Sequence, residues 1–242
     1  MYEERVSESI AGRILQVRSE IDAAARRCEQ SPQAVRLIAV SKTVVPERMM
    51  EAYRAGQRAF GENKVQDYLD KKDLLPADVE WHFIGHLQTN KVKSILHACA
   101  RGQLSLFHSL DRLDLIREIE KYAARLEGQT LDCLIQVNAS GESSKGGFKP
   151  EEVSGVVKVL SAGSPVKIRG LMTIGSLTED RSRVREVFRK LAGIRNRLQQ
   201  DFSGCDWDIL SMGMSGDYQE AIEEGSTLVR IGSAIFGSRT VQ

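Results

Sequence analysis

The chain has 242 residues, 41% of them hydrophobic and 28% charged, and its 34 basic side chains balance 33 acidic ones. That balance, together with few aromatic residues, argues against a protein that binds nucleic acid by neutralising phosphates. No stretch contains the about 18 consecutive apolar residues that a membrane span requires. The length suits either one large α/β barrel or two small domains.

The cysteines and the N-terminal stretch predict a cytoplasmic protein. Cysteines stand at positions 28, 99, 133 and 205, and no pair has the C-x-x-C spacing of a zinc or redox site. Unpaired cysteines are typical of a reducing compartment. The opening stretch MYEERVSESIAGRILQV is charged from the start and lacks the apolar segment of a signal peptide.

Helical and strand patterns follow one another along the chain. Apolar residues recur at helical spacing from Val6 to Ile21, which predicts an amphipathic helix over about residues 5–30. Pro46 and Gly56 then mark the start and end of a second helix. Short apolar runs predict strands at 37–43, 58–63, 80–87, 106–111, 131–138, 168–175, 207–215 and 227–237.

This alternation of eight strands with helical segments predicts a single (β/α)₈ barrel of the TIM type, an α/β fold with an extra N-terminal helix. Continuous apolar runs indicate parallel strands buried on both faces, and the helices supply the crossover connections that parallel strands need. We expect one domain over residues 1–242, with the barrel at about 36–239, because eight such units usually take about 250 residues. The alternative is an open, doubly wound sheet.

Lys42 is an unusual residue to find at the end of the apolar run LIAVSKT (37–43). Active sites of barrels lie at the carboxyl ends of the strands, and the strand period places Lys42 on the same face as Val40 and Ile38. A lysine among apolar walls has a lowered pKa, so its neutral amine can form a Schiff base with a carbonyl. The alternative is a lysine that caps the strand and extends into solvent.

Two turns rich in glycine and serine, MGMSGD (212–217) and RIGSAIFGS (230–238), lie at strands 7 and 8, where barrels often bind phosphate. Glycine allows close approach of an anion, Ser215 can donate its hydroxyl, and a helix start near Asp217 adds positive potential. Arg230, inside an apolar strand, needs either a carboxylate or a ligand acceptor. With Lys42, these residues predict a site for pyridoxal 5′-phosphate (PLP).

The histidines predict no metal site. His82 and His86 are four residues apart, a metal spacing on a helix but not on a strand. We expect His86 to line the barrel mouth, and His97 and His108 to be structural. The loop SGESSKGG (140–147) lacks the order of a nucleotide P-loop and is expected to be a mobile surface loop, with Lys145 reaching over the mouth.

Several motifs resemble the YggS/PROSC family of PLP-binding proteins. They are AVSKTV, FGENKVQD, WHFIGHLQTNK, SKGGF, RGLMTIG and LSMGMSGDYQEAIEEGSTLVRIGSAIFG. The similarity covers about residues 35–239, and the last motif is highly specific. The resemblance implies the barrel of the alanine-racemase-like, fold-type III PLP proteins.

The same resemblance implies roles for individual residues. Lys42 would carry PLP as a Schiff base, and Arg230 would lie near the pyridine nitrogen. Such a cation keeps that nitrogen unprotonated, which weakens the cofactor as an electron sink. The other implied residues are Ser215, Gly232 and Ser233 at the phosphate, Asn63 and Met212 at the ring, and Lys91 and Lys145 near the mouth.

The expected function is cofactor homeostasis rather than catalysis. Alanine racemases of this fold carry a second, β-rich domain that supplies a catalytic tyrosine, and we find no substitute for it in the sequence up to Gln242. We therefore expect a monomeric PLP carrier that buffers the cofactor, passes it to PLP-dependent apoenzymes and affects amino-acid and keto-acid balance. The alternatives are a weak amino-acid racemase or other PLP-dependent enzyme, and a cofactor-free Schiff-base barrel of the aldolase type.

Overall fold

The structure, a computed structural model, describes residues 9–160, 164–176 and 178–237. Eight parallel strands form a closed barrel in chain order, and the last strand pairs with the first. This confirms the predicted barrel and shows that the open sheet is wrong. The strands are β1 (Arg36–Val40), β2 (Ala59–Glu62), β3 (Glu80–Phe83), β4 (Leu106–Leu110), β5 (Leu131–Gln136), β6 (Val166–Met172), β7 (Ile209–Ser211) and β8 (Leu228–Ile231).

Helices surround the barrel and connect its strands. Of the described helices, none is long and apolar enough to cross a membrane. Short 3₁₀ helices occupy Pro32–Ala34, Thr89–Lys91 and Ala123–Leu126. The α-helices are α1 (Ile10–Arg27), α2 (Pro46–Arg54), α3 (Val65–Lys71), α4 (Val92–Ala100), α5 (Leu113–Lys121), α6 (Val153–Leu160), α7 (Arg181–Asp201), α8 (Tyr218–Glu223) and α9 (Ser233–Phe236).

The N-terminal helix α1 packs against the outside of the barrel. Ser9 caps it, and the Ser9 side chain accepts a hydrogen bond from the Gly12 backbone N–H at 3.0 Å. Its buried face consists of the apolar residues that the sequence pattern selects, such as Ile14 and Ile21. Residues 5–8 of the predicted helix lie outside the described residues, as do residues 238 and 239 at the predicted end of the barrel.

Two apolar layers result from the alternation of side chains along the strands. Between strands and helices, a large cluster includes Phe60, Phe107 and Leu210. Inside the barrel, a smaller cluster includes Ile38, Leu134 and related residues of β2, β4, β6 and β8. Because side chains fill the interior, the barrel is a packed core, and ligands are confined to its mouth.

The main departure from the predicted elements concerns the eighth strand. The eighth strand was expected at 227–237, but β8 ends at Ile231 and the apolar residues 233–236 form the single helical turn α9. Gly232, with φ −116° and ψ −72°, takes the chain out of the strand conformation. The polar segment after the second strand, one of the predicted helical segments, forms helix α3, whose buried Val65 and Tyr68 face the barrel.

Candidate functional site at the barrel mouth

Lys42 emerges beside the residues that follow β8. Strand β1 ends at Val40, and a tight turn after it carries the half-buried Lys42. In the β1–β8 pairing, Ile38 lies opposite Arg230. The segment after β8 lies so close to the end of β1 that a Cβ atom on Gly232 would be 3.2 Å from the Val40 carbonyl oxygen. Neighbouring strands are about 4.8 Å apart, so the Lys42 turn adjoins the loop after β8.

That loop forms a small cradle around the Ser215 hydroxyl. The backbone N–H groups of Gly232 and Ala234 both point to Ser215 Oγ, at 3.3 and 3.4 Å. Such distances are longer than ordinary N–H···O bonds of about 2.7–3.2 Å, so both donors remain available for a stronger acceptor. A cavity of about 710 Å³ includes Ser215 and Ala234 in its lining, but it lies between α1 and the segment 215–220, and neither Lys42 nor Arg230 borders it.

The cradle contains one donor in addition to those expected at Gly232 and Ser233. Ser233 is exposed and begins the turn α9, whereas Ala234, which the sequence analysis did not select, directs its N–H at Ser215. Helix α8 starts three residues after Ser215 and is only 6 residues long. Its dipole is therefore a minor source of positive potential.

Arg230 is buried inside the barrel, just below this mouth. It donates to the Ser211 carbonyl oxygen at 2.7 Å, to Ser211 Oγ at 2.6 Å and to the Thr173 carbonyl oxygen at 2.9 Å. Burial lowers the pKa of Arg230 to about 10, and the Asp217 carboxylate opposes that shift. The guanidinium stays cationic at neutral pH. Within the protein its hydrogen bonds go to carbonyl and hydroxyl oxygens rather than to a carboxylate, and a ligand acceptor near Arg230 stays a prediction.

Two buried histidines extend this polar network across the interior. His108 Nδ1 lies 3.0 Å from Ser211 Oγ, and His108 Nε2 lies 2.9 Å from His82 Nδ1. Burial lowers the pKa of His82 to about 3 and that of His108 well below its ordinary value, so both rings are neutral. His82 Nε2 is buried and has no hydrogen-bond partner among the described residues. His108 thus has definite partners, which the sequence did not reveal.

Asn63 and Met212 lie at the carboxyl ends of their strands, but in different settings. Asn63 follows β2, and its backbone is so close to Gly85 that a Cβ there would lie 2.0 Å from the Asn63 carbonyl oxygen. Met212 follows β7 and is fully buried in the outer apolar cluster, while its neighbour Ser211 faces the interior. Because the Met212 side chain points away from the barrel interior, its predicted role at the cofactor ring would be carried by its backbone.

The rim of the mouth carries a histidine–aspartate pair. His86 Nδ1 lies 2.7 Å from Asp111 Oδ2, and Arg112 donates to the other carboxylate oxygen at 2.6 Å. The His86 side chain is 61% exposed, whereas that of Asp111 is 5% exposed. His86 and His82 therefore do not share a site. In the described parts of the chain, no group of three or more His, Cys, Asp or Glu side chains is placed to hold a metal.

The two remaining lysines of the expected site are placed differently from each other. Lys91 is exposed at the end of a 3₁₀ helix. Lys145 is largely buried and donates to Glu142 Oε1 at 2.7 Å and to the Gly175 carbonyl oxygen at 2.6 Å. The Asn138 side-chain amide also donates to two carbonyl oxygens of the same loop. The expected mobile loop is therefore held to the barrel at several points.

The assembled residues fit the chemistry of a phosphorylated aldehyde. A phosphate suits the two cradle N–H groups and the Ser215 hydroxyl. A carbonyl suits the Lys42 amine, one strand away. An unprotonated ring nitrogen suits the Arg230 cation. The groups of such a ligand are thus matched by the types of donor at the ends of β1, β7 and β8 and by the order of these strands in the barrel.

Comparison with known proteins gives a consistent result. Residues 16–240 match the family "Alanine racemase, N-terminal domain". The chain is 43% identical to the pyridoxal phosphate homeostasis protein of Aquifex aeolicus, over 94% of this chain and 97% of the relative. It is 40% identical to the protein of the same name from Escherichia coli strain K12, over 95% of this chain and 97% of the relative.

Solved structures add the fold and one bound cofactor. PipY of Synechococcus elongatus, solved without PLP, has a TM-score of 0.82 and 34% identity, covering 95% of this chain and 100% of PipY. A PLP-bound structure of PipY has a TM-score of 0.79, 33% identity and the same coverage. Alanine racemase of Corynebacterium glutamicum, at 14% identity and a TM-score of 0.69, covers 92% of this chain and 62% of the racemase, which shows the fold alone.

Proposed function

We propose that this chain, which belongs to the pyridoxal phosphate homeostasis proteins of the alanine racemase N-terminal domain family, binds PLP and serves intracellular PLP homeostasis. The observation that carries the proposal is the adjacency of β1 and β8. It places the Lys42 turn next to a cradle in which two backbone N–H groups converge on the Ser215 hydroxyl.

In this proposal each group at the mouth has one task. Lys42 holds the cofactor covalently as a Schiff base through its amine. The cradle holds the phosphate by hydrogen bonds from Ser215 and from the backbone of Gly232, Ser233 and Ala234. When bound, PLP supplies the reactive aldehyde and a ring whose nitrogen Arg230 keeps unprotonated. Asn63 and the Met212 backbone border the ring.

Several features favour storage over turnover. A cation at the ring nitrogen disfavours chemistry that needs the ring as an electron sink. The described tyrosines are also engaged elsewhere: Tyr68 donates to the Gln103 carbonyl oxygen, Tyr53 to Asp78, and Tyr218 to Glu20. Tyr122 lies against the ammonium groups of Lys93 and Lys121. None of these contacts involves Lys42 or Arg230, so among the described residues no tyrosine is placed as the acid that racemisation needs on the second face.

Delivery to apoenzymes is the finer part of the proposal. A Schiff base is reversible, and a carrier at the barrel mouth can release PLP to a receiving protein without chemical change to the cofactor. We also propose that the chain acts as a cytoplasmic monomer, and that its loss alters amino-acid and keto-acid pools through PLP-dependent enzymes.

The delivery test uses PLP-loaded protein and a PLP-dependent apoenzyme in the presence of a phosphatase that destroys free PLP. We expect the apoenzyme to regain activity faster from the loaded protein than from an equal amount of free PLP. Lys42→Ala protein mixed with the same amount of PLP is the control and should perform no better than free PLP. Equal recovery from wild-type protein and free PLP would reject delivery, while a visible absorption band on the wild type would still support binding.

A second candidate function is a weak PLP-dependent racemase or related enzyme. The observation in its favour is His86, which Asp111 orients at the rim and which can act as an acid or base. The test is exchange of the α-proton of L- and D-alanine into deuterated water. Exchange no faster than with free PLP, or exchange unaffected by His86→Gln, would reject a catalytic role for this pair.

A further inference from the structure

The turn that carries Lys42 has an unfavourable backbone conformation. The Val44 N–H donates to the Ser41 carbonyl oxygen at 2.9 Å, which closes a four-residue turn with Lys42 and Thr43 in its centre. Thr43 has φ +64°. A turn with positive φ at its third residue is of type II, where glycine or asparagine is preferred. For a β-branched residue this conformation is strained, so the rest of the structure must hold it.

Every polar group of Ser41 is hydrogen-bonded. Its backbone N–H donates to the Gly61 carbonyl oxygen at 3.0 Å, which continues the β1–β2 pairing. Its hydroxyl donates to Glu62 Oε1 at 2.7 Å. Its carbonyl oxygen accepts a second hydrogen bond, from Lys71 Nζ at 2.9 Å, in addition to the bond that closes the turn. Ser41 is therefore fixed immediately before Lys42.

The two groups that hold Ser41 form a buried ion pair. Lys71 Nζ lies 2.8 Å from Glu62 Oε1, and the side chains are 11% and 0% exposed. The second carboxylate oxygen, Glu62 Oε2, is buried and accepts no hydrogen bond within the described residues. Burial raises the pKa of Glu62, against the opposing effects of Lys71 and Ser41. A buried pair with an unsatisfied oxygen is a poor source of stability, so its contacts with Ser41 point to another task.

We propose that the Glu62–Lys71 pair, acting through Ser41, is a positioning device that holds the strained Lys42–Thr43 turn and thereby aims the Lys42 amine at the cofactor site. The inference rests on the proposed function of Lys42. Glu62 and Lys71 are positioning residues, since they contact the turn and not the ligand. Release of Ser41 would let Thr43 return to negative φ and would move Lys42 away from the cradle.

The test removes both charges together, in the double variant Glu62→Gln/Lys71→Met, to avoid an unpaired buried charge. We expect the apparent Kd for PLP, measured by titration of the visible absorption band, to rise about 5- to 30-fold, the factor by which the left-handed conformation is disfavoured for a non-glycine residue. Urea unfolding of the same samples shows that the variant is folded. Ser41→Ala, a milder change, should act in the same direction if the double variant does not fold.

Rescue distinguishes positioning from a merely structural role. Glycine adopts positive φ about as readily as negative φ, so adding Thr43→Gly to the double variant should return the Kd to within about threefold of wild type. The matched control adds Glu127→Gly instead. Glu127 is also exposed and left-handed, with φ +51°, but lies before β5 at the opposite end of the barrel, so it should rescue nothing.

Two results would overturn the inference: a double variant that binds PLP as the wild type does, or rescue by Thr43→Gly no better than by Glu127→Gly. Wild-type protein that forms no visible band with PLP would instead reject the proposed function. In that case crystal structures of the wild type and the double variant decide the positioning claim. It predicts positive φ at Thr43 in the first and negative φ in the second, and positive φ in both would refute it.

Discussion

The cradle around Ser215 leads to a prediction in which cofactor affinity and protein stability respond differently to one substitution. Among the described residues, the Ser215 hydroxyl accepts only the long contacts of 3.3 and 3.4 Å from the N–H groups of Gly232 and Ala234. Their loss in Ser215→Ala should lower the free energy of unfolding by less than about 1 kcal/mol. With phosphate in the cradle, the same hydroxyl is expected to donate a charge-assisted hydrogen bond.

Such a bond contributes about 1.5–3 kcal/mol. At about 1.4 kcal/mol for each factor of ten, the Kd for PLP should rise about 10- to 100-fold in Ser215→Ala, without complete loss of binding because the backbone donors remain. The assay is equilibrium titration of the visible band, with urea unfolding of the same samples. Ser19→Ala, on the exposed side of α1, is the control. An affinity within about twofold of wild type would remove Ser215 from the phosphate site.

Three further predictions concern the barrel and Lys42. Gly170→Ala would place a Cβ 1.9 Å from the Ile209 carbonyl oxygen at φ +143°, so it should lower the free energy of unfolding by about 3 kcal/mol or more. Gly193→Ala in helix α7, where a Cβ would meet nothing within 4 Å, should raise the free energy of unfolding by about 0.5–1 kcal/mol. Urea midpoints equal to that of the wild type would contradict both predictions. Because burial lowers the pKa of His82 to about 3 from an ordinary 6.5, the unfolded chain takes up the proton first as the pH falls. As the pH falls from about 6.5 to about 3, the free energy of unfolding should therefore decrease, with a contribution from His82 of about 1.4 kcal/mol per pH unit, and above that range it should not depend on this group. Urea unfolding at several pH values should show a weaker pH dependence of the free energy of unfolding for His82→Gln. An unchanged pH dependence would show that His82 does not contribute. Lys42→Ala should abolish the reducible PLP adduct while circular dichroism and the urea midpoint stay close to wild type, because the side chain lies in a turn at the mouth; a persisting adduct would assign the cofactor to another lysine.

The barrel and the strand ends of the site were predictable because local patterns encode them. Parallel strands buried on both faces appear as apolar runs, and the barrel rule then selects residues such as Lys42 and Arg230 at or near their carboxyl ends. The end of β8 was not predictable in this way. The apolar segment 233–236 is too short for its periodicity to separate a strand from a helical turn, and only the backbone at Gly232 decides between them.

The supporting contacts of the site were not predictable, because they join residues from distant elements. His108 lies 26 residues from His82 and 103 from Ser211 in sequence, and only closure of the barrel brings them together. Lys71 stands in a segment that reads as polar and exposed, yet its long side chain reaches the buried Glu62 and Ser41. The signal that was available is the charged Glu62 at the end of a short apolar strand, since a buried carboxylate requires a partner.

The most direct test of the account is reduction of the PLP-loaded protein with borohydride, followed by peptide mapping. The proposed function predicts a yellow protein whose visible band disappears on reduction, with a phosphopyridoxyl group on the peptide that contains Lys42 and on no other lysine. A colourless protein that gains no band with added PLP, or a group fixed to another lysine, would contradict the assignment of Lys42 as the cofactor anchor.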